Sequence, residues 1–347
     1  MAGNKNNIIS KNYPQQHYSV IFNQKTGFFA RIEEKRYEEP FWSEEGPELL
    51  DISITNYCER QCSFCYRNSN INGKHLGIED YAHIINQAKE VGVLQIAIGG
   101  GNPNQHPNFV EFLRITSRNN IVPSYTSNGI GLTNNILEAT KEYCGALAIS
   151  AYSPYDYLPS LLDRISKFNI KTNLHFLLSK DSLQTAISWL EETPDFLKKI
   201  NAIIFLNYKP INSSLDLLLK KSALLNNFFQ LISSKKYFFK IGFDSCSISG
   251  IAKDLSVDPK FYESCESARF SAFISEELRM YPCSFMVNTD NYGDLKQNSI
   301  RNIWKHNQSF VSHRDKIMNN NCKTCRYENN CKGGCVFLPI INLCGLE

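Results

Sequence analysis

The sequence lacks the features that place a chain in a membrane or on nucleic acid. No run of about 18 consecutive apolar residues occurs, which predicts no transmembrane helix. Lys and Arg number 37 against 34 Asp and Glu, so the net charge of +3 indicates neither a nucleic-acid nor a membrane partner. The opening MAGNKNNIIS has no apolar stretch of the kind that a secretory signal contains. We therefore expect a cytoplasmic protein that binds no nucleic acid and no membrane.

Composition also argues against extensive disorder. The 347 residues are 42% hydrophobic and 20% charged, which is typical of globular chains, and the length suits one to three domains. Only residues 1–16 are polar enough to be expected as a loosely held segment.

Cysteine is abundant, with twelve residues. Because the cytosol keeps thiols reduced, metal or redox chemistry is a better interpretation than a disulfide framework. Three cysteines lie between Cys58 and Cys65, and eight lie from Cys246 onward. Only Cys144 stands alone, and we expect it to be a buried structural thiol.

Apolar periodicity divides the chain into three parts. Residues 1–47 form an N-terminal extension with a predicted β-hairpin over 17–33. Residues 48–236 alternate six strands with helices, which predicts a parallel sheet in the α/β class, namely a partial (β/α)6 TIM-like barrel. Residues 237–347 begin with one more strand and continue as a cysteine-rich domain. That domain has too few apolar runs for a large core, so metal would have to hold it together.

The first cysteine group has the spacing C-x3-C-x2-C and follows the first predicted barrel strand. Cys58, Cys62 and Cys65 on one loop can bind three irons of a [4Fe–4S] cluster, which leaves the fourth iron for a small molecule. A zinc site or free thiols are the alternatives, although paired C-x2–4-C motifs are the usual spacing of structural zinc.

This spacing, with an aromatic residue before the last cysteine and a glycine run after the second strand, resembles the radical S-adenosylmethionine (SAM) superfamily. The resemblance covers about residues 48–235. It implies that SAM binds the open iron and contacts Phe64, Gly100, Gly101, Asn102, Pro103, Ser127, Asn128 and Ser150. Asn102 replaces the glutamate usual in the family, and backbone carbonyls are expected to bind the SAM ammonium there.

The later cysteines resemble the SPASM extension of peptide-modifying radical SAM enzymes, because four of them have the spacing C-x2-C-x5-C-x3-C. The resemblance implies two auxiliary [4Fe–4S] clusters and divides eight thiols between them. One set is Cys322, Cys325, Cys331 and Cys344, and the other is Cys246, Cys265, Cys283 and Cys335. Leu278 departs from the family, which usually has glycine there. The alternatives are an open coordination position in place of Cys246, or one or two zinc sites.

No catalytic residue is identified with the same specificity. Asp244 is a candidate proton acceptor, with turn capping as the alternative. Tyr152 and Tyr208 follow predicted strands, and either is a candidate to line the substrate cavity or donate a hydrogen atom. Ordinary packing is the alternative for both tyrosines.

The resemblance implies an oxidoreductase that cleaves SAM to a 5′-deoxyadenosyl radical and abstracts hydrogen from a peptide or protein. An oxidative crosslink, such as a thioether or carbon–carbon bond, is the expected product. A low-potential donor of the flavodoxin or ferredoxin type is the expected electron source. The N-terminal hairpin is expected to cap the bottom of the barrel, and the alternative is that a leader segment of the substrate adds to it as a strand. The alternatives are a maturase of another substrate class, such as a sulfatase-type protein or a cofactor precursor, and a non-enzymatic iron–sulfur or zinc redox protein.

Overall fold

The computed structural model describes residues 7–35, 38–211, 213–255, 257–258 and 261–344. Their strands form two sheets, one of three strands and one of ten. No helix among these residues is both long enough and apolar enough to cross a lipid bilayer.

The three-stranded sheet is antiparallel and consists of β1 (Ile8–Tyr13), β2 (Tyr18–Asn23) and β3 (Phe29–Glu33). Strands β2 and β3 confirm the predicted hairpin. The expectation of a loosely held segment is wrong for residues 8–13, because β1 pairs with β2 along its whole length, and residues 14–16 form a short 3-10 turn. Residues 1–6 of that segment lie outside the described residues.

This small sheet covers one end of the barrel. Its buried face, built on Tyr18 and Phe22, packs on Leu94 and Val122, which lie at the amino ends of two barrel strands. Lys171, at a third such end, donates a 2.7 Å hydrogen bond to the hairpin turn at the Thr26 carbonyl. The N-terminal extension is therefore a cap over the bottom of the barrel.

Seven parallel strands follow in the larger sheet, and each neighbours the next in sequence. They are β4 (Leu49–Thr55), β5 (Gln95–Gly100), β6 (Val122–Ser127), β7 (Ala146–Ala151), β8 (Thr172–Leu178), β9 (Ala202–Asn207) and β10 (Lys240–Phe243). The helices between them are α1 (Ile78–Val91), α2 (Phe109–Arg118), α3 (Asn134–Tyr143), α4 (Leu158–Ser166), α5 (Leu183–Glu192) and α6 (Ala223–Ser234). One helix follows each of β4 to β9, which confirms the predicted partial (β/α)6 barrel.

Amphipathic sequence explains why the helices lie against the sheet. In α1, Tyr81, Ile84, Ile85 and Ala88 are buried at helical spacing, and the helix ends at Gly92, whose φ of 92° is the left-handed conformation that glycine adopts easily. In β4 the even-numbered residues, such as Ile52, enter the same core, while the odd-numbered ones face the barrel interior.

The C-terminal region extends the barrel sheet on its other edge. Strand β11 (Ser271–Ile274) pairs in parallel with β4, and β12 (Arg279–Tyr281) and β13 (Gly293–Asp294) follow in antiparallel pairing. The helices here are α7 (Ile248–Asp254), α8 (Ile300–His306), α9 (Gln308–Met318) and α10 (Glu328–Cys331). Strands β10 and β11 both follow residue 237, the expected domain boundary, yet both belong to the barrel sheet. Strand β10 pairs with β9 at one edge of the barrel strands, and β11 pairs with β4 at the other.

Leu278 lies in the turn between β11 and β12 and has a φ of 65°. This is the left-handed region, in which a branched side chain is strained and glycine is not. The conformation explains why glycine suits this position, and here leucine adopts it at some energetic cost.

Candidate active site

The first cysteine group lies on the loop after β4, at the carboxyl end of the barrel. The Cys58 amide donates to the Asn70 carbonyl at 3.0 Å, and the Cys65 amide donates to the Cys62 carbonyl at 3.1 Å. These bonds fold the loop back on itself, so that all three thiols line one cavity.

That cavity has a volume of about 1120 Å³ and extends between the two cysteine regions of the sequence. Cys58, Cys62 and Cys65 line one part of it, and another part is lined by Cys246, Cys265 and Cys283. A substrate inside it can therefore face thiols from both the barrel and the C-terminal domain.

The glycine run at the end of β5 lies against the cysteine loop. Gly100 has a φ of 118°, and a Cβ there would lie 2.0 Å from the Thr55 carbonyl oxygen. A Cβ on Gly101 would lie 2.1 Å from the Tyr57 carbonyl oxygen. Both glycines are thus required by the approach of the loop backbone. Gly99 differs, because a Cβ there would meet no atom within 4 Å and the residue lines the cavity.

The residues expected to contact SAM fall into two groups. Those that line the cavity are Phe64, Gly100, Gly101, Asn128 and Ser150. Those buried behind it are Asn102, Pro103 and Ser127. The buried set supports the cavity wall, and its side chains do not face the cavity.

Asn102 links the ends of β5 and β6. Its Oδ1 accepts hydrogen bonds from the Asn128 amide at 3.2 Å and the Ser127 hydroxyl at 3.4 Å, and its Nδ2 donates to the Ile130 carbonyl at 2.9 Å. Asn128 in turn donates from Nδ2 to the Cys58 Sγ at 3.4 Å. Sequence reasoning missed this chain of contacts, and it also missed Asn104, which accepts the Ser127 hydroxyl hydrogen bond at 2.6 Å.

One C-terminal group of thiols lies beside the cavity. A hydrogen bond to Cys335, followed by burial, raises the pKa of Cys246, while the same hydrogen bond lowers the pKa of Cys335. Burial raises the pKa of Cys265 to about 12 and that of Cys283 still further, and the charge of Cys246 adds to both shifts. The structure therefore brings these four thiols together.

The second group lies away from the cavity. Burial raises the pKa of Cys331 to about 11, and Cys344 and Cys322 add to this shift. Burial also raises the pKa of Cys322, and the charges of Cys344 and Cys325 add to this shift. Cys325 is exposed. The two clusters of neighbours are the same two sets of four that the SPASM resemblance implies.

The donor set fits iron–sulfur clusters. All twelve cysteines are free thiols. One loop could provide three of them for a cluster with an open iron, and two groups could provide four each. Cys144 joins none of these groups; it packs against the barrel core, and burial raises its pKa.

The three candidate catalytic residues have different surroundings. Tyr152 lines the cavity, where its ring meets Phe64 edge-on at 5.0 Å between centroids. Tyr208 is buried, and its hydroxyl donates to the Ser214 carbonyl at 2.8 Å. Asp244 accepts hydrogen bonds from the Ser247 hydroxyl at 2.8 Å and the Asn207 amide at 3.1 Å.

Asp244 also forms an ion pair with the buried Lys209, which sequence reasoning missed. The Lys209 ammonium lies 4.8 Å from the centre of the Phe285 ring. Two cavity-lining residues of opposite charge thus sit beside Cys246. The sequence did contain a signal for Lys209, because this lysine directly follows Tyr208 at the end of a predicted strand.

The barrel interior contributes two further titratable groups to the cavity, Asp51 and His175. Burial raises the pKa of Asp51 to about 6 and lowers that of His175 to about 4. His175 lies 3.3 Å from the Thr126 hydroxyl. Sequence reasoning also missed Asp51, although an acid between the apolar residues Leu50 and Ile52 of a predicted strand was a visible signal.

Comparison with protein families decides the identity of the barrel. Residues 52–177 match the model of the radical SAM superfamily. These residues form a radical SAM domain. Residues 265–331 match a second model, SPASM, described as an iron–sulfur cluster-binding domain.

Two relatives illustrate the range of similar proteins. A PqqA peptide cyclase from Ruegeria pomeroyi is 28% identical over 133 residues, which are 38% of this chain and 35% of that protein. The match thus spans about a third of that relative's length. An AdoMet-dependent heme synthase from Methanosarcina barkeri is 20% identical, over 83% of this chain and 90% of that protein.

Among solved structures, Streptococcus suis SuiB bound to the precursor peptide SuiA has the same fold, with a TM-score of 0.75. The alignment covers 95% of this chain and 94% of that chain, at 14% identity. The similarity therefore includes the N-terminal cap, the barrel and the C-terminal region.

Proposed function

We propose that this radical SAM protein is a maturase that modifies a peptide or protein substrate oxidatively. The observation that carries this proposal is the single cavity that borders both Cys58, Cys62 and Cys65 and the thiols around Cys246. A substrate in such a cavity meets the site of radical formation and an electron acceptor together. We assign residues 1–47 to the cap, 48–236 to the radical SAM domain and 237–347 to the auxiliary-cluster domain.

Cys58, Cys62 and Cys65 would hold the SAM-binding [4Fe–4S] cluster, and the two sets of four cysteines would hold two auxiliary clusters. When bound, the first cluster supplies the one-electron reduction of SAM that gives methionine and the 5′-deoxyadenosyl radical, with a flavodoxin or ferredoxin as its electron source. Backbone groups of the glycine run would bind the SAM ammonium. Asn128 would hold Cys58 in place through its hydrogen bond to the sulfur.

After hydrogen abstraction, a crosslink requires loss of a second electron and a proton from the substrate. Asp244 lies beside Cys246 in the cavity and is our candidate proton acceptor. Lys209 holds its carboxylate in a fixed position. Tyr152, which lines the cavity next to Phe64, is our candidate for contact with the substrate, whereas the Tyr208 hydroxyl is already engaged by the backbone.

A peptide substrate is supported by two comparisons, the PqqA peptide cyclase and the SuiB complex with its precursor peptide. We propose a thioether or carbon–carbon crosslink as the product, because two auxiliary clusters suit a net oxidation. A cofactor precursor is the second candidate, because the heme synthase relative matches over 83% of this chain.

The first test is anaerobic reconstitution of the full chain followed by iron, sulfide and SAM-cleavage assays. We expect about 12 irons per chain and formation of 5′-deoxyadenosine. Cys58→Ala should abolish SAM cleavage, Cys335→Ala should lower the iron content and retain cleavage, and Cys144→Ala should match the wild type. About 4 irons together with bound zinc would contradict the auxiliary clusters.

The second test identifies the substrate. The enzyme is co-expressed with each short peptide encoded beside its gene, and each peptide is examined by mass spectrometry for loss of two hydrogen atoms. SAM cleavage without modification of any such peptide, together with turnover of a tetrapyrrole, would favour the cofactor-precursor alternative.

A further inference from the structure

One charged group in the cavity has no partner among the described residues. Seven charged side chains line the cavity, and six of them have partners. Arg67 pairs with Glu276, Lys209 with Asp244, Glu263 and Glu266 with Arg31, and Arg60 donates to the carbonyls of Tyr152 and Ser153. The seventh is Asp51, whose carboxylate has neither a hydrogen bond nor an ion pair with any residue that the structure describes.

Asp51 faces the inside of the barrel from the middle of β4. Its register neighbours are Ala97 on β5 and Phe273 on β11. The carboxyl group lies deep within the protein, and the surface that it retains opens into the cavity.

The glycine run assigned to SAM is distant from Asp51 along the strand. Gly100 pairs with Thr55, four residues further along β4 than Asp51. At about 3.3 Å per residue, this is a separation of about 13 Å. Asp51 therefore lies in the part of the cavity below the expected SAM ammonium site.

Aromatic rings line the cavity near this carboxylate. Phe273 is its strand neighbour, and Tyr66 lies 4.5 Å from Phe285 between ring centroids. The Phe273 and Phe285 rings already face the Arg67 and Lys209 cations, and both of these cations have acidic partners. The rings therefore offer apolar contact to an alkyl stem, and the unpaired carboxylate is the group that a cation at the end of such a stem would bind. A neutral group in the same position would leave a buried carboxylate unpaired, which is costly.

We propose that Asp51 is a specificity residue that binds a cationic side chain, lysine or arginine, of the peptide substrate inside the barrel. This inference rests on the proposed function, because it takes the cavity as the substrate site. It adds the chemical class of the residue that the enzyme selects. At pH 7.5 the carboxylate is mainly ionised, since its pKa is about 6.

The test uses the reconstituted full-length protein with SAM bound. N-acetyl-lysine amide, N-acetyl-arginine amide and N-acetyl-norleucine amide are titrated into it by calorimetry. We expect at least one cationic probe to bind about tenfold or more tightly than the norleucine probe. Asp51→Asn should remove this preference, Asp51→Glu should keep it in part, and the exposed control Asp181→Asn should keep it fully.

Equal affinities for all three probes, no binding of either cationic probe, or a preference that survives in Asp51→Asn would each overturn the inference. Weaker SAM binding by Asp51→Asn would also overturn it, since Asp51 would then belong to the cofactor site. Iron content and the visible spectrum report whether each variant is folded and loaded. Failure of the wild type to cleave SAM would instead overturn the proposed function, whatever the probes show.

Discussion

The Arg67 guanidinium and the Glu276 carboxylate form an ion pair inside the protein, with side chains only 3% and 8% exposed. Arg67 follows the first cysteine loop, and Glu276 lies in the turn between β11 and β12. Glu276 also accepts a hydrogen bond from the Ser53 hydroxyl at 2.6 Å. This pair therefore joins the loop of the SAM site to the C-terminal domain.

Breaking the pair should destabilise both regions. Glu276→Ala leaves the Arg67 charge buried without its partner, which typically costs about 3–5 kcal/mol. We expect a lower melting temperature and reduced iron loading at Cys58, Cys62 and Cys65. Asp195→Asn, which breaks an exposed pair with Lys198, is the control and should leave the melting temperature nearly unchanged. Similar melting temperatures for the two variants would refute the prediction.

Gly100 and Gly99 should respond in opposite ways to alanine. Gly100→Ala places a methyl group 2.0 Å from the Thr55 carbonyl at a φ of 118°, so we expect a loss of about 2 kcal/mol or more and weak SAM binding. Gly99→Ala meets no atom within 4 Å and should fold normally. Thermal denaturation and equilibrium dialysis with SAM measure both effects. Normal folding of Gly100→Ala would show that the cysteine loop can move away.

Asn128 should tune the electronic properties of the first cluster. Its amide donates a hydrogen bond to the Cys58 sulfur, and such donors stabilise the reduced form, which carries more negative charge. Asn128→Ala should therefore lower the reduction potential of that cluster, measured by titration with EPR detection. The auxiliary clusters serve as the internal control, because their potentials should not shift. An unchanged potential at the first cluster would mean that the contact is only structural.

Asp51 should make stability depend on pH. Burial raises its pKa from an unfolded value of about 3.9 to about 6, so the folded state binds the proton more tightly. The resulting stabilisation is full below about pH 4 and is lost as the pH rises through 6. Between pH 5 and pH 7 the wild type should lose about 1 kcal/mol that Asp51→Asn does not lose.

The groups near Asp51 should contribute little to that difference in the free energy of unfolding. Tyr66 and Phe273 border it, and the Arg67 cation is held by Glu276. His175, on the opposite side of the barrel, has a pKa of about 4 and stays neutral across this range. Parallel pH profiles of unfolding for the wild type and Asp51→Asn would refute the prediction.

The barrel was predictable because its signal is local. Each helix carries its own apolar stripe, as α1 does, and each parallel strand is a short apolar run between turns. Strand β1 was missed because Ser10, Lys11 and Asn12 interrupt its apolar residues and none of its side chains is fully buried, and β2 provides its hydrogen bonds. Strand β11, with four residues, is too short for periodicity to separate it from a loop.

The cysteine groups were predictable from spacing, because metal ligands on one loop must follow each other at short intervals. Contacts between distant residues were not. Arg67 and Glu276 are separated by 209 positions, and Lys209 and Asp244 by 35, so no local pattern pairs them. Asn102 was noted as a substitution, but its hydrogen bonds to Ser127 and Asn128 require the two strand ends to be adjacent in space.

The pairing of β11 with β4 has a consequence for synthesis on the ribosome. Leu49 lies opposite Ser271. The ribosome must therefore translate 222 further residues after Leu49 before β11 can begin to pair with the edge of β4. Until then the nascent barrel has an open strand edge, and Arg67 lacks its counter-charge. Maturation of the first cysteine loop is thus a late event, and a ribosome stalled before residue 271 carries a barrel that is prone to aggregate.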